Sequence, residues 1–325
     1  MTRRALVIGC GGTIGGAWAV AALAALAEHL DWDPRTADVL QGTSAGAELV
    51  TLLAGGYRVG DLVDMHTGAA TDPVLRDHIA ATPPGIPPVP LPLPLAPTGL
   101  LRDGGGHTRL TGIAPRGRGD ATWLQHLADS VAGPGGRLPH PGARLVAYDP
   151  RRGERVAFGA PGAPRATAGA ALRASWAVPG WMPPVRIDGR YFVDGGAAST
   201  ASVDLIGADE AEEIYVIAPM AAADGVRAPG LGGRAEQWLL RNPMSAVLRR
   251  EIGAVRASGR TVVAITPGSE DMRGLGWNFM NRRHRRAAFD SARVHAPAAV
   301  RRALEAATPA APDSPGRRRE WPEAQ

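Results

Sequence analysis

Two repeats of one local pattern near the start of the chain constrain the fold more than any other feature. In each repeat a short apolar run leads into a glycine turn and then into an alanine-rich stretch. The first repeat comprises residues 4–8, 9–16 and 17–30, and the second comprises residues 38–41, 42–44 and 45–54. Strands and helices that alternate in this way predict a parallel sheet with helices on its faces. We therefore expect an α/β fold.

Similar patterns continue to about residue 307. Apolar or alternating runs predict further strands at 143–148, 154–158, 190–193, 214–218 and 261–265, and helical patterns occur at 60–67, 72–80, 122–131, 166–174, 234–257, 282–294 and 297–306. We expect one domain over residues 1–307. A proline-rich insertion near residues 83–98 is either a stiff surface loop or a hydrophobic flap beside a groove. The polar tail, residues 308–325, is expected to be disordered.

The charged residues exclude some classes of function. All 36 cations are arginines, because the chain has no lysine, so Schiff-base chemistry and a phosphate-binding P-loop lysine are excluded. The net charge of +5 is spread along the chain, and no nucleic-acid-binding module is recognisable. We therefore expect no nucleic-acid partner.

The single cysteine, Cys10, excludes an internal disulfide, and no cluster of Cys and His with zinc-ligand spacing occurs. We expect neither a metal nor an organic cofactor. The N-terminus leads directly into the first strand, and the longest charge-free apolar helix that the sequence predicts, residues 17–27, is too short to span a bilayer. These observations favour a cytoplasmic location.

A Gly-x-Ser-x-Gly motif, Gly42 to Gly46, lies where the second apolar run ends and a helix begins. A serine on such a tight strand-to-helix turn is held with its hydroxyl exposed, and the glycines keep neighbouring backbone out of its way. Ser44 is therefore the candidate nucleophile.

The first glycine turn, residues 9–16, allows two interpretations. A dinucleotide fingerprint requires Gly-x-Gly-x-x-Gly, but its third glycine would fall on Ile14. Alternatively, the backbone N–H groups of Gly11 and Gly12 form an oxyanion hole at the start of a helix, whose dipole favours negative charge. The second interpretation fits the sequence better.

Asp194 ends the strand at 190–193 and precedes two glycines. The carboxyl ends of strands are the rim at which open α/β sheets build their sites, so Asp194 is the candidate base. Asp103 has similar neighbours, but no strand precedes it. A Ser-His-Asp triad is the alternative mechanism, and His295 is the histidine that chain order favours for it.

Four blocks together resemble the patatin-like phospholipase family. They are the glycine turn at 9–15, Gly42-x-Ser44-x-Gly46, the block Ala174-Ser175-x-Ala177-x-Pro179 with Pro183-Pro184, and Asp194-Gly195-Gly196. The resemblance covers most of residues 1–265. It implies a three-layer α/β/α sandwich with a mostly parallel central sheet. It also implies lipid acyl hydrolysis by a Ser44–Asp194 dyad, with Gly11 and Gly12 lining the oxyanion hole.

One position departs from the family pattern, because Ile14 stands where Arg or Lys usually precedes the last glycine of the first block. This departure weakens a phospholipid-headgroup preference more than an esterase activity. The functional hypothesis is therefore a serine acyl hydrolase that cleaves lipid esters of the phospholipase A, lysophospholipase or lipid esterase type. An acyltransferase, a non-catalytic lipid-binding protein and a dinucleotide-binding protein are the alternatives.

The arginine run 282–286 lies close to Trp277, Phe279 and Met280 in the sequence. Such a run is usually a solvated face, but basic and aromatic residues together also suit peripheral contact with an anionic membrane. The oligomeric state is not indicated by any pattern in the sequence.

Overall fold

The computed structural model describes residues 2–82, 91–94, 115–223 and 225–307, and for residues 91–94 it describes the backbone alone. The strands are β1 (Arg4–Ile8), β2 (Val39–Thr43), β3 (Leu91–Pro94), β4 (Pro115–Arg116), β5 (Ala143–Asp149), β6 (Glu154–Phe158), β7 (Val185–Ile187), β8 (Arg190–Asp194), β9 (Glu213–Ile217) and β10 (Thr261–Ile265). The helices are α1 (Gly12–Leu30), α2 (Ala45–Ala54), α3 (Val59–Thr67), α4 (Pro73–Ala81), α5 (Thr122–Val131), α6 (Ala168–Ser175), α7 (Gly230–Glu236), α8 (Asn242–Ala257), α9 (Met272–Leu275) and α10 (Arg285–Ala307).

Eight of these strands form one sheet with β1 near its centre. The neighbours run in the order β10, β9, β1, β2, β5, β8 and β7, and β6 also pairs with β5. The five strands from β10 to β5 are parallel to one another, whereas β6 and β8 run antiparallel to β5, and β7 runs antiparallel to β8. The expectation of a mostly parallel central sheet is thus confirmed.

Helices cover both faces of the sheet because consecutive strand residues, which point to opposite faces, are apolar and buried. On β1, Leu6 and Ile8 belong to a core that also contains residues of α1, α2 and α10. Ala5 and Val7 belong to a second core, with Leu248 of α8. Two apolar cores separated by a sheet make the three-layer α/β/α sandwich that the sequence predicts.

The first helix begins earlier than the sequence indicates. We expect a start at residue 17, but α1 begins at Gly12, inside the glycine turn. The reason is that the turn itself is helical: the N–H of Gly15 donates to the carbonyl of Gly11, and the N–H of Ile14 donates to the carbonyl of Phe279. The glycines permit this early start because neighbouring backbone and side chains pack directly against them.

The last helix also differs from expectation. The pattern predicts two helices, at 282–294 and 297–306, separated near Pro297, whereas α10 is continuous from Arg285 to Ala307. A proline removes one backbone hydrogen bond of a helix but does not force it to end. Buried alanines on both sides of Pro297, Ala296 and Ala299, keep the helix packed against the core.

Within the described ranges, α1 is long and apolar enough to cross a membrane, judged by length and composition alone. Its 19 residues exceed the apolar stretch 17–27 considered in the sequence, so the length argument against a membrane span does not hold for this helix. Most of α1 is buried between the sheet and α10, and this packing accounts for its apolar composition.

Candidate active site

Ser44 lies on a strained turn between β2 and α2. Its backbone has φ 57° and ψ −120°, a conformation that a residue with a side chain rarely adopts. The turn is tight enough to require both flanking glycines. A Cβ on Gly42 would collide with the backbone of Gly46, and a Cβ on Gly46 would collide with the carbonyl oxygen of Ile8. The motif therefore forms the strand-to-helix elbow that its sequence predicts.

Strand β5 brings Ser44 and Asp194 together. Strand β2 runs parallel along one edge of β5 and ends with Thr43 opposite Val146. On the same edge, β8 runs in the opposite direction and ends with Asp194 opposite Ala147, the next residue of β5. Two strands therefore point at each other along a common neighbour, and their carboxyl ends meet at the candidate site.

The sequence places Asp194 at the carboxyl end of a strand, and β8 does end at this residue. The direction of β8, antiparallel to β5, was not predicted. Its carboxyl end reaches the same place because β8 pairs only with the part of β5 that extends beyond β2.

Asp194 is buried, with 4% of its surface exposed. Its carboxylate accepts a hydrogen bond from the backbone N–H of Gly196 at 2.7 Å and lines the same cavity as Ser44. Burial raises the pKa of Asp194 to about 7, although hydrogen bonding by Ser44 and Gly196 opposes the rise. A carboxyl with this pKa can both accept and return a proton near neutral pH.

Ser175 fixes the backbone at the elbow. Its hydroxyl oxygen accepts a hydrogen bond from the backbone N–H of Ser44 at 2.9 Å, and the hydroxyl donates to the carbonyl of Val146 at 2.6 Å. Two residues later, the carbonyl of Ala177 accepts from the backbone N–H of Asp194 at 3.0 Å. The block 174–179 therefore contacts the backbones of both Ser44 and Asp194, which its sequence alone did not reveal.

The first turn of α1 presents backbone donors beside Ser44. The first N–H groups of a helix have no acceptor within the helix. Those of Ile14 and Gly15 bond to other carbonyls, but across the described ranges the N–H groups of Gly11, Gly12 and Thr13 have no recorded acceptor. Gly12 has φ 58°, and a Cβ there would lie 2.6 Å from the Phe279 ring. This geometry suits an anion-binding turn.

The candidate catalytic residues line a cavity of about 340 Å³. Its lining includes Ser44, Asp194, Gly11, Gly12 and Gly196, together with a mostly apolar set: Cys10, Val178, Pro179, Trp181, Ala197, Met220, Leu240, Met244 and Phe279. No cationic side chain from the described part of the chain lines it. Burial and the nearby Asp194 raise the pKa of Cys10 to about 12, so this thiol stays protonated and is a poor nucleophile.

The alternative candidates lie elsewhere. His295 faces Asp271, with 3.8 Å between Nδ1 and Oδ1, and no histidine of the described ranges lines the cavity. Asp103, His107 and most of the proline-rich insertion 83–98 lie outside the described residues, as does the tail 308–325. The described residues contain no group of three or more His, Cys, Asp or Glu side chains that could hold a metal ion.

Several cavity residues were not identified from the sequence. Met220, Leu240 and Met244 follow the fourth block, and no motif marks them, because many large apolar side chains can line an apolar wall. Phe279 was singled out only for its closeness to the arginine run. In the structure its ring lies 6.3 Å from that of Trp181, and both rings line the cavity.

The fold and the site together define a class: an α/β protein with a serine on a strand-to-helix turn and a buried aspartate in the same cavity. A sequence model described as patatin-like phospholipase matches residues 6–205. The chain belongs to the patatin-like phospholipase family, whose members are lipid acyl hydrolases. The resemblance carried by the four blocks is thereby confirmed.

Among solved structures, that of VipD from Legionella pneumophila is similar to this chain, with 13% identity and a TM-score of 0.43. The similarity covers 94% of this chain and 67% of VipD. A comparison with curated proteins gives no match.

Proposed function

We propose that this protein is a serine hydrolase that cleaves carboxylic esters of lipids through a Ser44–Asp194 dyad. The observation that carries the proposal is the juxtaposition of Ser44, on its strained turn, and the buried Asp194 carboxylate at the wall of one apolar cavity. Membership in a family of lipid acyl hydrolases supports the same chemistry.

In the first half-reaction the Ser44 hydroxyl oxygen attacks the ester carbonyl, and its proton moves to Asp194. The resulting oxyanion is stabilised by the backbone N–H groups of Gly11 and Gly12, with the N-terminal dipole of α1 behind them. The intermediate then collapses, the acyl–oxygen bond of the ester breaks, and Asp194 returns the proton to the leaving alcohol. An acyl-enzyme on Ser44 remains.

Water completes the cycle. Asp194 takes a proton from the water as its oxygen attacks the acyl-enzyme, and the second oxyanion occupies the same donors. Collapse releases a carboxylic acid, and the proton passes from Asp194 to the Ser44 oxygen. The raised pKa of Asp194 suits both proton transfers, because a carboxyl near pKa 4 would be a much weaker base.

The cavity favours an acyl chain over a charged headgroup. Its walls are mostly apolar, and the described lining residues offer no cation for a phosphate. Ile14 is fully buried in the core and lines no part of this cavity. We therefore infer a preference for the acyl portion of the substrate. Rates of hydrolysis over a panel of neutral glycerides and phospholipids with matched acyl chains measure this preference. A marked preference for charged headgroups would contradict the inference.

Labelling with a fluorophosphonate tests the dyad. We expect the wild-type protein to be labelled, Ser44→Ala to be unlabelled and Asp194→Asn to be labelled far more slowly. Ser130→Ala, which changes a serine of α5 outside the cavity, is the control and should label normally. An unlabelled wild-type protein, or labelling that survives Ser44→Ala, would contradict the proposal.

The fate of the acyl group separates a hydrolase from an acyltransferase. We expect release of free fatty acid from a lipid ester even when an alcohol acceptor is present. Dominant formation of a new ester would instead identify a transferase on the same dyad. Loss of activity in His295→Ala comparable to that in Ser44→Ala would favour a histidine triad.

A further inference from the structure

Large apolar side chains are exposed on two segments beside the cavity. The segments are residues 225–250, which contain α7 and the first part of α8, and residues 272–286. We call their exposed apolar residues the aromatic face. It consists of Leu231, Trp238, Leu239 and Trp277, which are 87%, 72%, 47% and 65% exposed. Among the described residues only Val294, on α10, is a further large apolar side chain with comparable exposure. Exposed large apolar side chains grouped on neighbouring segments are typical of an interaction site.

The aromatic face adjoins the cavity. A Cβ on Gly232 would lie 3.3 Å from the indole of Trp277, so the two segments are in contact. Leu240, the residue after Leu239, lines the cavity, and so does Phe279, two residues after Trp277. The exposed surface therefore continues into the cavity that contains Ser44.

The turn that carries Trp238 and Leu239 buries its charged side chains and exposes its apolar ones. Residues Gln237–Arg241 form a π-helical turn between α7 and α8. Arg241 and Glu236 are buried and form an ion pair at 3.1 Å, while Arg241 also donates to the carbonyl of Pro219 at 2.6 Å. A helix that faces water buries its apolar side chains and exposes its charges. Here the charges point inward and Trp238 and Leu239 point outward, which suits apolar surroundings.

The two segments are strongly basic. Together they contain ten arginines and one carboxylate, Glu236, which pairs with the buried Arg241, while Arg286 pairs with Asp290 outside the segments. The whole chain has 36 arginines and 31 acidic residues, so the rest of the chain carries a net negative charge. Exposed cations here include Arg227, Arg234 and Arg273. A surface that combines aromatic residues with arginines is complementary to an anionic lipid bilayer.

The arginine run 282–286 contributes less than its sequence suggests. Arg282 donates to the carbonyl of Thr82, Arg285 to that of Ile79 and Arg286 to that of Thr67. Met280 is fully buried. The run therefore attaches the start of α10 to α3 and α4. The exposed aromatic residues, Trp238 and Trp277, lie outside the run.

We propose that the aromatic face docks the protein peripherally on an anionic lipid bilayer, with the cavity opening toward the membrane. Tryptophans insert at the boundary between headgroups and acyl chains, and the arginines attract anionic headgroups. The inference rests on the proposed lipid substrate, because docking in this orientation brings acyl chains to the cavity mouth beside Ser44.

Vesicle flotation tests the docking separately from catalysis. The probe is the Ser44→Ala protein with vesicles of phosphatidylcholine alone or of equal parts phosphatidylcholine and phosphatidylglycerol. We expect binding to the anionic vesicles that weakens with added salt. A Trp238→Ser/Leu239→Ser double variant should bind about tenfold or more weakly, because two large apolar side chains are removed. Trp277→Ser should weaken binding independently, whereas Val294→Ser, an equally exposed control, should not.

Activity assays complete the test. With Ser44 intact, the double variant should hydrolyse a soluble short-chain ester at the wild-type rate, because neither side chain lines the cavity, and should lose activity on vesicle lipid. The docking proposal is overturned if the protein binds neither vesicle or if the variants bind as well as the parent. It is also overturned if Trp238→Ser abolishes a concentration-dependent dimer, which would make a second copy the partner of this face. Vesicle binding without any ester hydrolysis would contradict the proposed function alone.

Discussion

The pKa of Asp194 controls the expected pH dependence of activity. As the proposed base, Asp194 must be ionised in the free enzyme, and burial raises its pKa to about 7. We therefore expect kcat/KM on a soluble ester to rise with pH and to reach half of its plateau near pH 7. A pH–rate profile measures this. A rate that is already constant at mildly acidic pH would show that a group with an ordinary carboxyl pKa serves as the base.

The raised pKa of Asp194 also predicts that ionising this carboxyl destabilises the folded protein as pH rises. The folded pKa of Asp194, about 7, lies above the ordinary value of 3.8, so its contribution to stability is complete below pH 3.8 and is lost as pH rises to about 7. An amide does not titrate. The free energy of unfolding of Asp194→Asn relative to wild type should therefore increase over this interval, by on the order of 4 kcal/mol. Denaturant unfolding at acidic and alkaline pH measures it, and an unchanged difference would contradict the raised pKa.

Ser175 is a positioning residue for Ser44. Removing its hydroxyl in Ser175→Ala leaves the backbone N–H of Ser44 without its acceptor and releases the turn from Val146. Small displacements of a nucleophile are costly, so we expect kcat to fall roughly tenfold to hundredfold with KM nearly unchanged. Ser175→Thr retains the hydroxyl and should restore part of the rate. A fall in thermal stability without any change in kcat would assign Ser175 a structural role only.

At the scale of elements, α2 packs on β1 only because residue 46 has no side chain. Gly46→Ala would place a methyl group against the carbonyl oxygen of Ile8 and push the helix from the sheet. We expect a loss of about 2 kcal/mol or more in the free energy of unfolding. Gly60→Ala is the matched control, because Gly60 lies in α3 with no atom within 4 Å of an added Cβ. That variant should gain about 0.5–1 kcal/mol.

Both variants are compared with wild type by chemical denaturation. Equal effects at the two positions would mean that helix propensity, rather than the contact with Ile8, determines the result. The comparison therefore isolates the close approach of α2 to β1.

Elements with strong local patterns could be predicted from the sequence. Strands β1, β6 and β10 have the predicted bounds, and so do α2 and α5, because apolar periodicity and terminal glycines determine them locally. The antiparallel direction of β8 could not be predicted, since pairing partners depend on contacts between distant residues. The π-helical turn at 237–241 was missed because its buried ion pair becomes favourable only beside the carbonyls of residues 219–221.

Part of the candidate site could also be predicted from the sequence, and part could not. Ser44, Asp194, Gly11 and Gly12 occur in recognisable blocks, and the structure brings all four to one cavity. The apolar wall formed by Met220, Leu240 and Met244 has no sequence signature, because its only requirement is the size and polarity of the side chains. The catalytic roles of Ser44 and Asp194 stay predictions until the labelling experiment is done.

At the scale of the whole molecule, the fold extends beyond the region matched by the family. That match ends at residue 205, yet β9 pairs with β1 along its whole length, and β10 pairs with β9. A chain ending at residue 205 would expose one edge of β1 and the faces covered by α8 and α10. We expect it to be insoluble or unfolded, and we expect residues 1–307 to retain the fold and ester hydrolysis.

Circular dichroism and soluble-ester assays of the two truncated chains measure this, with the full chain as the control. A folded, active chain ending at residue 205 would show that the sheet is stable without β9 and β10. Loss of activity on removing only residues 308–325 would contradict the domain boundary expected from the sequence.

The meeting of β2 and β8 on β5 has a consequence for how such a chain can vary. The strands that lead to Ser44 and Asp194 pair with consecutive residues of β5, because Thr43 lies opposite Val146 and Asp194 lies opposite Ala147. Ser175 and Ala177 hold the same two backbones, and the loops elsewhere in the connection are not part of these contacts. Insertions or deletions in the intervening loops can therefore reshape the entrance of the cavity and the choice of substrate while the distance between nucleophile and base stays constant.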